Sequence, residues 1–132
     1  MKAFFITTAA LEVGAGLALI LAPLQAATLL LGASPIGLGA DLFEKVAGFA
    51  LIALALANWL ARNDTQCAAA RGIVWGMLIY NLGIIEFFFP FALAPLVQQQ
   101  PSQTVGVLVC PAVILHIVMS MWCGLCLAKK RV

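Results

Sequence analysis

Glu12 and His116 are the residues of this chain best placed to do chemistry, because each stands inside an apolar run where water is scarce. Glu12 interrupts the run at residues 3–22, and His116, the sole histidine, interrupts the run at residues 104–128. An ionisable group at membrane depth costs at least a few kcal/mol even on lenient insertion scales, so such groups are paired or functional. At about 1.5 Å per helical residue, Glu12 falls about 14 Å from one membrane face and His116 about 12 Å from the same face. Asn81, inside residues 72–89, comes out at about 14 Å as well. One polar layer shared by three helices is the expectation. Ser120 and Cys123 follow His116 at helical offsets, and Thr8 and Gly16 flank Glu12 in the same way. A buried carboxyl beside an imidazole can take up and release a proton, or it can form a hydrogen-bond cluster that fixes helix register. Glu12, Asn81, His116 and Ser120 are thus the candidates for ligand binding or proton carriage, and the sequence leaves both roles open.

A second charged layer is expected near the opposite face. Glu86 lies about 21 Å along its helix, and Glu44 and Lys45 open the second apolar run on that side. Lys45 is expected to pair with Glu86 and close the bundle there. Cys123 and Cys126 form a CxxC, a spacing used by redox pairs and half metal sites. They fall in the last turns of the fourth run, on the side expected to be reducing, so they read as packing residues. With one histidine and no clustered carboxylates at ligand spacing, no metal site is expected. A haem would need its second ligand from another chain. No dinucleotide, phosphate-loop or nucleophile-elbow motif occurs, so neither catalytic residues nor a cofactor are assigned.

The elements that must position these groups follow from composition. Apolar residues make up 64% of the chain and charged residues 9%, against about 25% charged in soluble domains. Four stretches can cross a hydrocarbon core of about 30 Å: residues 3–31, 42–61, 72–89 and 104–128. Only helices or a closed barrel satisfy the backbone at that depth, and continuous apolar runs are not the alternating pattern of a barrel. The expectation is an all-α membrane protein, a single four-transmembrane-helix bundle of up-down-up-down order spanning residues 1–132. Pro90 and Pro95 are expected to break the third run, and the polar segment 98–103 to form an outer connector. Met1-Lys2, an apolar core and small residues up to Ala27 superficially resemble a secretory signal, but Glu12 interrupts that core. A retained helix is expected.

Basic residues set the orientation. Lys2, Arg62, Arg71, Lys129, Lys130 and Arg131 cluster at one side, whereas segments 32–41 and 90–103 carry no Lys or Arg. Both termini are therefore expected in the cytoplasm, with Lys45 the exception. The net charge of +2 forms no basic stripe, which excludes a nucleic-acid partner. Small residues recur at helical spacing in Ala10-Gly14-Ala18-Ala22, Gly72-Gly76 and Ser120-Gly124-Ala128. They serve helix packing within the chain, or a face for an oligomer or another membrane subunit.

Several phrases carry a resemblance: Leu11-Glu12-Val13-Gly14-Ala15-Gly16-Leu17, Val46-Ala47-Gly48-Phe49-Ala50-Leu51, Gly76-Met77-Leu78-Ile79-Tyr80-Asn81, and Pro111 through His116 with Trp122-Cys123. Together they resemble small bacterial inner-membrane proteins of the DoxX-like four-helix kind. The resemblance implies a multi-pass protein of the bacterial cytoplasmic membrane. It also implies an accessory or partner role in redox systems. The resulting expectation is a non-enzymatic accessory or interaction subunit, as an oligomer or within a redox or transport complex, with a lipid- or quinone-like ligand near Glu12 and His116. A second resemblance is confined to Ala10-Leu11-Glu12-Val13-Gly14, which is similar to the glutamate-bearing first helix of small multidrug resistance transporters. It implies the alternative, a proton-coupled transporter acting as a dimer with Glu12 as proton and substrate site.

Overall fold

The computed structural model describes residues 1–32, 38–97 and 106–128 and is all-helical there. Its helices are α1 (Lys2–Leu21), α2 (Pro23–Leu31), α3 (Leu38–Ala61), α4 (Ala68–Val97) and α5 (Val109–Ala128). All but α2 are long and apolar enough to cross a membrane. The polar connector at 98–103 and the basic residues Lys129, Lys130 and Arg131 lie outside the described residues.

Several boundaries depart from expectation, the two largest at prolines. The first run is not one helix to residue 31: Ala22 leaves helical geometry at φ −140° and ψ 56°, and Pro23 opens α2. Proline crowds the residue before it out of the helical region and suits a first helical position, where its missing N–H is no loss. α2 then ends at Gly32, which adopts φ 79° and donates to Thr28 O at 2.9 Å. Glycine occupies that left-handed cap without strain. In α4, by contrast, Pro90 does not end the helix, which runs on to Val97. An apolar medium leaves the backbone no better partner than its own helix, so a transmembrane helix absorbs a proline by losing one bond. The fourth span likewise starts later than expected: residues 106–108 form a turn, and α5 begins at Val109.

The helices pack as two intimate pairs. In the first, α1 crosses α3 at Gly16 and Gly48, where a Cβ on either residue would stand 2.8 Å from the other's carbonyl oxygen. The absence of both side chains lets the backbones touch. In the second pair, Arg71 donates to Leu127 O at 3.3 Å, while Cys110 Sγ lies 3.9 Å from Ala92 O. In both pairs, contacts climb one helix as they descend the other.

The pairs meet at two levels. Phe4 and Phe5 of α1 are fully buried against Val74 of α4 and Cys123 of α5, with Ala70, Met77, Met119 and Cys126 completing the cluster. Both thiols of the CxxC are free and buried in this core. At the other end, Leu108 N donates to Leu29 O at 2.9 Å, and Gly106 sits so close to the Leu29–Leu30 backbone that a Cβ there would collide. Cys67 caps α4 as a serine would, its Sγ accepting from Ala70 N at 3.3 Å.

Candidate functional site

Between these two levels the pairs stand apart, leaving a cavity of about 410 Å³ walled by α1, α3, α4 and α5. The wall is mainly aliphatic, and Thr8, Glu12, Tyr80, Asn81 and His116 bring polar groups to it. A volume of roughly 300–1,000 Å³ with a few convergent polar groups is the usual form of a small-molecule site. Glu12, Asn81 and His116, which depth alone assigns to one layer, border this one space.

Two separate hydrogen-bond units hold the polar groups. On the α1–α3 side, Asn58 Nδ2 donates to Glu12 Oε2 at 2.9 Å and to Leu54 O at 3.0 Å. Glu12 Oε1, Asn58 Oδ1 and Thr8 Oγ1 are sealed from solvent without a protein partner. On the α4–α5 side, Asn81 Nδ2 donates to Met77 O at 2.6 Å, so the oxygen of the same amide faces His116 Nδ1, also at 2.6 Å. Because that oxygen only accepts, His116 Nδ1 must carry a proton, and in a neutral ring Nε2 then keeps its lone pair. Tyr80 packs edge-on against the imidazole, centroid to centroid 5.8 Å, and steadies its orientation.

Asn58 is the partner of Glu12 that sequence reasoning missed. Its place beside Trp59 and Arg62, residue types expected at a membrane interface, draws attention away from it; the Arg62 guanidinium lies 3.8 Å over the Trp59 ring. Asn58 itself is fully buried, on the same face of α3 as Leu51 and Ala55. That spacing of four and three is the signal that could have found it.

The other candidates fall elsewhere. Ser120 does not border the cavity, although its hydroxyl is sealed and unpartnered. Lys45 pairs with Asp41 at 2.7 Å rather than with Glu86. One helical turn brings Asp41 within reach whatever the neighbours do, whereas Glu86 is exposed on the outside of α4. Glu44 leaves one sealed oxygen unpartnered. Among the described residues, no three His, Cys, Asp or Glu side chains gather as metal ligands would. The glycines of the small-residue stripes do not pack against the rest of the chain: a Cβ on Gly14, Gly72, Gly76 or Gly124 would meet nothing within 4 Å. Gly14 and Ala10 instead form part of the cavity wall.

No family model matches the chain, and no curated protein or solved structure matches it either.

Proposed function

We propose that this protein is a non-enzymatic multi-pass subunit of a bacterial cytoplasmic membrane that holds a lipid-soluble molecule in the cavity beside Glu12 and His116. The cavity is the observation that carries this reading, since it lies at mid-length of four apolar spans and offers polar groups on facing walls. An aliphatic wall suits a ligand drawn from the bilayer, and the few polar groups orient its head. The opposed contact registers of α1 with α3 and of α4 with α5 support an up-down-up-down bundle. The Lys and Arg distribution supports cytoplasmic termini. DoxX-like character and an oligomeric or larger assembly belong to the same proposal. The open Gly72 and Gly76 on α4 suit close approach by a neighbouring membrane helix.

Native mass spectrometry of the protein, released from membranes in mild detergent, tests the reading. Wild-type chains should retain a lipid-soluble small molecule. A Gly14→Leu variant, whose added Cβ would meet nothing within 4 Å on the cavity wall, should not. Equal content in the two would sink the proposal. Glu12-dependent proton uptake in reconstituted vesicles, by a homodimer with nothing bound, would replace it with the transporter reading.

A further inference from the structure

The hydrogen-bond polarity of the cavity points to the head group it takes. Resting on the ligand reading above, we infer that the occupant is a lipid-soluble hydroxyl compound, a phenol or alcohol, whose O–H donates to Glu12 or His116.

The argument runs through hydrogen-bond inventory. Both hydrogens of the Asn58 amide are committed, one to Glu12 Oε2 and one to Leu54 O, so no donor remains for Glu12 Oε1. On the facing wall, Asn81 holds the His116 proton on Nδ1, which leaves Nε2 as an acceptor. With Glu12 ionised and His116 neutral, both groups therefore accept. Thr8 and Tyr80 also border the cavity, and their hydroxyls can donate or accept according to what they meet. Three head groups then separate cleanly. A carbonyl or ether offers only lone pairs and leaves both fixed acceptors unmet. An ammonium offers only donors, and the Thr8 and Tyr80 protons find nothing to bind. A hydroxyl does both: it donates to a fixed acceptor and receives a proton from Thr8 or Tyr80.

The route of access agrees with such a ligand. Leu11, Gly14 and Ala15 of α1 and Leu115 of α5 border the cavity and are also exposed on the outside of the bundle. The opening between α1 and α5 thus faces lipid, where an alkyl tail can remain while the head is inside.

The test compares three probes of equal tail, 4-hexylphenol, 4-hexylanisole and 4-hexylbenzylamine, each measured as binding in excess of protein-free nanodiscs of the same lipid. The phenol should bind more tightly than its methyl ether, by at least about tenfold where it donates to an ionised Glu12 and by severalfold where it donates to a neutral His116. Glu12→Gln supplies the second arm. Its side-chain oxygen can still accept from Asn58, which points the new NH₂ where Oε1 stood and turns an acceptor into a donor. The phenol-to-ether ratio should then fall severalfold. Phenol and ether binding alike would overturn the hydroxyl inference and leave the cavity reading intact, as would the amine binding tightest. No probe binding above the protein-free control would overturn the cavity reading itself.

Discussion

Replacing Gly16 with alanine tests the α1–α3 crossing on which the Glu12 site is built. The added Cβ would stand 2.8 Å from Gly48 O and 2.9 Å from Ile52 Cδ1. Ordinary contact begins near 3.4 Å, so the backbones must part by about 0.6 Å, because a carbonyl oxygen in a helix cannot turn aside. Overpacking of this kind costs about 1–3 kcal/mol, while alanine recovers about 1 kcal/mol of helix propensity over glycine. Gly14→Ala, two residues earlier on the same helix, gains the same propensity and meets nothing within 4 Å. Propensity cancels in the comparison. Gly16→Ala should therefore be less stable than Gly14→Ala by about 1–3 kcal/mol, read from reversible denaturation with sodium dodecyl sulfate in mixed micelles. Variants within about 0.5 kcal/mol of each other would refute the close crossing, since surface changes alone scatter by that much.

Other outcomes can be checked in the same system. Asn58→Leu should lose about 1–3 kcal/mol by stranding the buried Glu12, whereas Glu12→Gln should change stability by less than about 1 kcal/mol; the Glu12→Leu and Asn58→Leu double variant should recover part of the loss, and strictly additive losses would show that the two do not interact. For topology, a single cysteine at Gln99 should react with an impermeant maleimide in intact cells and one at Asn63 should not, and the reverse pattern would invert the orientation. Cys123 and Cys126 pack in the core as free thiols, so replacing both with alanine should preserve the fold and any partner association. Loss of function with the fold intact would give the pair a redox role. Finally, Gly72→Ala and Gly76→Ala should be harmless or slightly stabilising in the isolated chain, and a drop in assembly size on either change would mark α4 as the oligomer face.

Much of the architecture was legible because the bilayer restricts the options. Continuous apolar length reports spans directly, and the four membrane-length helices lie where hydropathy puts them. What failed was punctuation. Pro23 and Pro90 look alike in sequence, yet one divides two helices and the other lies inside one. Nothing local distinguishes them; the difference is made by what surrounds each chain segment. Depth arithmetic brought Glu12, Asn81 and His116 to one layer, and the three do border one cavity. It missed Asn58 because depth was counted at the backbone. From the Gly16–Gly48 crossing, the Glu12–Asn58 pair is out of register by six residues, about 9 Å of helix. Side chains lean toward the N-terminus of their own helix. Since contacts run in opposite senses along α1 and α3, the leans of Glu12 and Asn58 converge and close that gap. The Lys45–Glu86 pair failed for the opposite reason, as it assumed approach of two helices that are not intimate neighbours, when a local partner stood one turn away.

The bond from Leu108 N to Leu29 O ties α2, which continues from α1, to the turn that leads into α5 at one end, as Phe4 and Phe5 join the two helix pairs at the other. The cavity is therefore a window in a frame fixed above and below, and widening it by swinging the pairs apart would break one end or the other. If it takes the lipid-soluble ligand proposed above, the traffic would fall to the sashes. Leu11 and Leu115, each 40% exposed at the opening, need only change rotamer, a motion of nanoseconds or faster, whereas helix displacement takes microseconds to milliseconds. A molecule held this way stays for a time set by its own affinity and not by a gate. On the proposed function, that would be the behaviour of a quickly exchanging berth in the membrane rather than of a vault.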